Sequence, residues 1–202
     1  MQQLSLKTPI SEKISKIISV VLIFLVPIFF LPITSEFYSF NKLTLIVIAT
    51  IILLVLWGIK TIKGERLEII KSPVDKSLLA LLAILILSTI FSISKTDSIF
   101  GQQGRWLGLG AFAVMMIYFY LSTPSFKDQK TVKTAIYLLL LSATISSLIS
   151  ILSYYKIFIS SSPFYRFQNF SLTGSIKDAV LLAVIATIAS IAMNMHEKSN
   201  FL

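Results

Sequence analysis

Residues Leu43–Ile59 read LTLIVIATIILLVLWGI, a run without one charged side chain. A helix that spans a bilayer takes about 20 predominantly apolar residues, within a range of roughly 17 to 25, so this stretch predicts a helix whose solvent is hydrocarbon. Five more apolar runs have no charged residue near their centres: Ile14–Pro32, Ser77–Ile93, Leu107–Leu121, Thr134–Tyr154 and Ala179–Met195. All are continuous rather than alternating, which selects helices over a membrane barrel. The weakest is Leu107–Leu121, which is short and opens with Gly108 and Gly110; it could tilt, thin the bilayer locally or enter only partly. The expectation is one all-α domain over residues 1–202, a polytopic transmembrane helical bundle of about six spans.

Charge gives the bundle an orientation. The chain carries a formal net charge of +9 with a mean hydropathy of +0.86, and its basic residues gather between the spans. Counted by alternate sides, the N-terminus, the loops after spans two and four and the C-terminus hold twelve Lys and Arg, against six on the opposite side. The positive-inside rule then puts both termini in the cytoplasm, with Lys60, Lys63, Arg66, Lys71 and Lys76 as the main inner anchor. No loop is long enough to fold into a basic, water-facing domain, which argues against nucleic acid as a partner. Lys7, Lys13 and Lys16 followed by an apolar stretch resemble a secretory leader, but no small-x-small site follows, so the first span is expected to be uncleaved. The absence of cysteine excludes disulfides, thiol catalysis and cysteine metal sites.

Small residues form stripes on two spans. Ser142, Ser146, Ser150 and Ser153 share one face of the fifth; Ala179, Ala183, Ala186 and Ser190 share one face of the sixth. Such faces let helices approach closely, so these two spans are expected to pack on each other or on a common neighbour; a polar permeation path is the sharper reading of the serine face. Ion-coupled transport is disfavoured, since the cores of the spans are free of charge and no matched Gly or Pro breaks occur in the two halves. The connection Tyr155–Asp178 is rich in aromatic residues, Tyr155, Phe158, Phe164, Tyr165, Phe167 and Phe170. Headgroup-level anchoring explains them; a sugar-stacking platform is the alternative.

Of the six cations on the expected outer side, five could converge if the bundle is closed: Lys42, Lys95, Arg105, Arg166 and Lys177. Arg105 lies in the stretch Ser98–Gly108, where glycines permit a tight backbone and a guanidinium can grip two phosphate oxygens. Beside Trp106 it could equally be an interfacial anchor. Three stretches of the chain resemble the amino-terminal region of the bacterial O-antigen ligase and polymerase family, multi-spanning glycosyltransferases that use a lipid carrier. They are Phe29–Lys42, Ser72–Arg105 through the third span, and Leu172-Thr173-Gly174-Ser175-Ile176-Lys177-Asp178.

The resemblance implies transfer of a glycan from undecaprenyl diphosphate to an acceptor hydroxyl at the outer face of the bacterial inner membrane, with no metal or other cofactor. It implies diphosphate contact by Arg105, Arg166 and Lys177, where cations would stabilise charge on the departing group. It covers only the front half of a family member. The large outer loop that carries the family's catalytic His and Arg has no counterpart, so no catalytic residue is assigned, and a second multi-spanning chain is expected to supply that loop. His196, the only histidine, follows the last span on the cytoplasmic side. Asp178 beside Lys177 reads as a charge pair at a helix start. The competing class is a non-enzymatic multi-pass protein, an assembly factor or small transport subunit, whose basic residues only set topology.

Overall fold

The computed structural model describes residues 10–31, 38–63, 72–102, 104–157 and 170–199, with side chains described as far as residue 195. Helix accounts for 81% of them, and no strand forms among the described residues. The helices are α1 (Ile10–Ile28), α2 (Ser39–Ile62), α3 (Asp75–Ile90), the short α4 (Lys95–Phe100), α5 (Leu109–Ser122), α6 (Gln129–Tyr154) and α7 (Ile176–Ser199), with a 3₁₀ turn, Thr123–Phe126, after α5.

Local chemistry fixes several ends. Asp128 caps α6: its Oδ1 accepts from the backbone amides of Lys130 (3.1 Å) and Thr131 (3.3 Å), and its Oδ2 accepts from Thr131 Oγ1 at 2.7 Å. These bonds satisfy amides that the first helical turn leaves unpaired. The same carboxylate pairs with Lys16 of α1. This ion pair, with the Thr131 bonds, holds the Asp128 carboxyl well below the ordinary carboxylate range. Pro27 sits in the last turn of α1, one residue before the helix ends.

The long helices are arranged in a row with α7, α6, α1, α2, α5 and α3 as successive neighbours, and α4 lies against α3 and α5. The interior is small-residue packing. Ser19 on α1 and Ser142 and Ser146 on α6 are wholly buried, and Ala49, Ala111, Ala135, Ala143, Ala179 and Ala186 are buried with them. The small-residue stripe of α7 is thus turned partly inward, and α7 packs on α6, as close backbone approach requires.

Outward faces are apolar. No residue of α3 is buried, and Ile84, Leu87 and Ile90 expose more than half their surface, as do Leu181 and Ile188 on α7. Among the described residues, four segments are long and apolar enough to cross a bilayer: Ser39–Ile62, Leu109–Phe126, Gln129–Tyr154 and Ile176–Met195. Such segments with such faces make this a membrane protein. Two expected spans fall short of that standard. α1 carries Glu12, Lys13 and Lys16 along its first half, and α3, with 16 residues, is only about 24 Å long against a core of about 30 Å. The fourth run, weakest in the sequence, is lengthened by the 3₁₀ turn to qualify.

Candidate functional site

At the end of the bundle that the charge count assigns to the outside, the turn leading into α7 is held from three directions. From α6, Ser153 Oγ accepts the Phe170 amide at 3.0 Å and Ser150 Oγ donates to Ser171 Oγ at 3.0 Å. From α2, Lys42 Nζ donates to the carbonyls of Leu172 and Thr173, both at 2.9 Å. Within the turn, the Ser171 and Thr173 hydroxyls bond at 2.7 Å. Gly174 adopts φ +114° and closes the turn through its amide to Ser171 O; a Cβ there would stand 3.3 Å from Tyr38 Cβ. Ser175 and Asp178 cap α7 reciprocally, since Ser175 Oγ donates to Asp178 Oδ2 at 2.7 Å and accepts the Asp178 amide at 3.1 Å.

Phe170 departs from the expected headgroup position. It is buried, with its ring 5.1 Å from Phe30, edge to face, and 6.3 Å from Tyr38. Phe158, Phe164, Tyr165 and Phe167 lie outside the described residues, and Tyr155 is exposed. The serine face accordingly has a structural use at its far end, because Ser150 and Ser153 anchor the turn.

The second wall of the site is the segment between α4 and α5. Its two ends touch backbone to backbone at Gly101 and Gly108. A Cβ on Gly101 would lie 2.6 Å from Trp106 C, and one on Gly108 would overlap Gly101 N and the Ile99 carbonyl. Gly101 and Gly104 have φ of +91° and +95°, a region in which glycine alone is unstrained. Trp106 is forced to φ +43°, uncommon for a bulky residue, and its ring packs 5.4 Å from Phe40 of α2. The amides of Arg105 and Trp106 both bond Gln102 O. The pinched backbone therefore presents Arg105 at a defined place, and its side chain is exposed.

Between these walls lies a cleft of about 690 Å³ that brings Arg105 and Lys177 together, 72 positions apart in sequence. Tyr38, Ser39, Thr173 and Ser175 add hydroxyl-bearing side chains to the lining, and Asp178 adds one carboxylate. With two cations against one capping carboxylate, the lining is net positive. Among the described residues neither Arg105 nor Lys177 has an ion-pair partner. No family model matches the chain, nor does any curated protein or solved structure. Function therefore has to be read from the site.

Of the five outer cations, two meet in this cleft. Lys42 is committed beneath it to two carbonyls, Lys95 begins α4 and does not line it, and Arg166 lies outside the described residues. The side chain of His196 is likewise outside them. The part of Lys42 could be guessed only from the fold, because the carbonyls it binds are 130 residues distant. Tyr38 and Ser39, which the sequence reading did not single out as site residues, line the same cleft as Arg105, Thr173 and Asp178.

Proposed function

We propose that this chain binds a lipid-linked diphosphate in the Arg105–Lys177 cleft and belongs to the machinery that transfers a glycan from undecaprenyl diphosphate to an acceptor hydroxyl during assembly of a cell-surface polysaccharide. The observation that carries this reading is the convergence of the two cations, from separate parts of the chain, in a hydroxyl-lined cleft at one end of a membrane bundle. A diphosphate offers several acceptor oxygens. The planar guanidinium of Arg105 can bind two of them side by side, and Lys177 can add a mobile point charge. Because charge builds on the departing diphosphate during glycosyl transfer, the same contacts would favour the transition state.

On this reading the chain lies in the bacterial inner membrane with six membrane-embedded segments, α1 and α3 included, both termini in the cytoplasm and the cleft outside. Surrounding lipid and the lipid-linked glycan are its partners, and nucleic acid is not. Arg166 would complete the cationic set. Among the described lining residues the one carboxylate, Asp178, is occupied as a helix cap, and a second multi-spanning chain is assigned the catalytic loop. α3, which buries nothing, offers a surface for it. That bare helix also suits the competing reading, a non-enzymatic assembly factor or small transport subunit.

Binding separates the two. The full chain in nanodiscs should bind undecaprenyl diphosphate, and Arg105→Gln with Lys177→Gln should weaken binding by roughly tenfold or more, since hydrogen bonds to charged groups contribute about 1.5 kcal/mol or more each. Lys95→Gln should leave it unchanged. No binding by the wild type, or equal binding by the double variant, would leave the non-enzymatic reading.

A further inference from the structure

Next to the cleft, between α3 and α5, lies a groove of about 270 Å³. Leu85, Ser88 and Thr89 of α3 line it on one side, and Phe112 and Met115 of α5 on the other. Spacings of three and four keep each set on a single helix face. No charged residue is among the described lining residues, and two of the three hydroxyls are used locally. Thr89 Oγ1 donates to Leu85 O at 2.8 Å, and Ser98 Oγ of α4 donates to Ser92 Oγ at 2.6 Å. What the groove presents is therefore mainly hydrocarbon. Ser88 is exposed, so the groove opens on the flank of the bundle, which in a membrane protein faces lipid. From Leu109 to Met115, both in its lining, α5 rises about 9 Å, so the groove reaches well below the end that carries Arg105.

Leu107 joins the two spaces. It lines the groove and the Arg105–Lys177 cleft alike, and it is 68% exposed. A cationic, hydroxyl-lined space and an uncharged one thus share a wall, which is the arrangement an amphiphile requires, with its diphosphate on one side and its hydrocarbon on the other. We propose, on the diphosphate reading of the cleft, that the α3–α5 groove seats the first isoprene units of the carrier, whose chain crosses Leu107 and leaves the protein sideways between α3 and α5. The donor is then restricted to lipid-linked diphosphates. A nucleotide diphosphate would put a ribose and base where the chain runs and leave their polar groups without hydrogen-bond partners, at a desolvation cost. Ile84 and Leu87, exposed on α3, do not line the groove, so it is separate from the surface offered to a second chain.

A chain that moves from the bilayer into this groove exchanges one apolar surrounding for another, so it gains packing and little hydrophobic free energy. Position rather than affinity is therefore the readout. Farnesyl diphosphate with a diazirine on its first isoprene unit, photolysed with the full chain in nanodiscs and mapped by mass spectrometry, should label Leu85, Phe112 or Met115. It should spare Leu181 and Ile188, which are exposed on α7, and excess inorganic pyrophosphate should abolish the label. Ser88→Phe, which fills the groove and leaves the cleft lining intact, should lose the label while still binding pyrophosphate. Ile84→Phe, on the same helix outside the groove, should keep it. Label that pyrophosphate displaces but that lies outside the groove, or that survives Ser88→Phe, would overturn the groove and leave the diphosphate reading of the cleft standing. Label in the groove that pyrophosphate does not displace would give the groove to bulk lipid chains and overturn the proposal. Absence of any displaceable label, with no pyrophosphate binding, would remove the cleft reading and this inference together.

Discussion

Gly108→Ala is the cleanest probe of the segment that carries Arg105. The φ of Gly108 is −93°, which any residue can adopt, so the substitution adds no backbone strain and its whole effect comes from the new methyl group. That methyl would lie 2.6 Å from Ile99 C and closer still to Gly101 N and Ile99 O, all backbone atoms that cannot rotate away. Overpacking of this kind costs about 1–3 kcal/mol. For a chain of this size 1 kcal/mol corresponds to a shift of roughly 2–4 °C in Tm, so the variant should melt about 2–12 °C lower in detergent, followed by circular dichroism. Gly58→Ala is the internal control. It lies within α2, and a Cβ there meets nothing within 4 Å, so the better helix propensity of alanine should raise stability by up to about 1 kcal/mol. Because the pinch positions Arg105, Gly108→Ala should also weaken binding of undecaprenyl diphosphate, whereas Gly58→Ala should not. An unchanged Tm for Gly108→Ala, or equal effects of the two alanines, would refute the backbone contact between Gly101 and Gly108.

Two more expectations concern the ends of the bundle. Lys42→Met removes both bonds to the Leu172 and Thr173 carbonyls and should loosen the turn before α7; a cysteine at Ser171, buried at 1% exposure, should stay unreactive toward maleimide when Lys42 is present and become reactive when it is replaced. The depressed pKa of Asp128 means that its ion pair and cap contribute stability in full above the unfolded carboxylate value, near 4, and lose it as pH falls through the lower folded value, where the unfolded chain binds more protons. Wild-type Tm should therefore decline with acidification below about pH 4 more steeply than that of Asp128→Asn, and parallel pH profiles would contradict the assignment.

Much of the architecture was legible because hydrophobic runs of this length have few alternatives. Leu43–Ile59 could hardly be anything but a buried or membrane helix, and the serine and alanine stripes pointed to packing of α6 on α7. Charges at the run margins were harder to read. Glu12 and Lys13, outside the Ile14–Pro32 run, lie inside α1 together with Lys16, because helix propagation is indifferent to where the bilayer begins. α3 ends at Ile90, and Phe91 to Ser94 form the break before α4.

In the site, the glycines around Arg105 signalled a tight turn from sequence alone, although not that Gly101 and Gly108 would touch. Lys42 and Lys177 were both outer cations, and only the family resemblance singled out Lys177. Tertiary structure separates them, since one is consumed by carbonyls and the other faces the cleft. Phe170 likewise looked like its aromatic neighbours until Phe30 and Tyr38 closed around it, a contact between segments more than 130 residues apart.

The central claim is a diphosphate-binding cleft open to the outside, and because the chain has no cysteine one labelling experiment tests both parts of it. Ser39→Cys puts a single thiol in the cleft lining. In right-side-out membrane vesicles it should react with a membrane-impermeant maleimide, and added undecaprenyl diphosphate should slow that reaction while undecaprenyl monophosphate slows it less. Labelling only after the inner face is opened, or labelling that the diphosphate does not slow, would contradict the account.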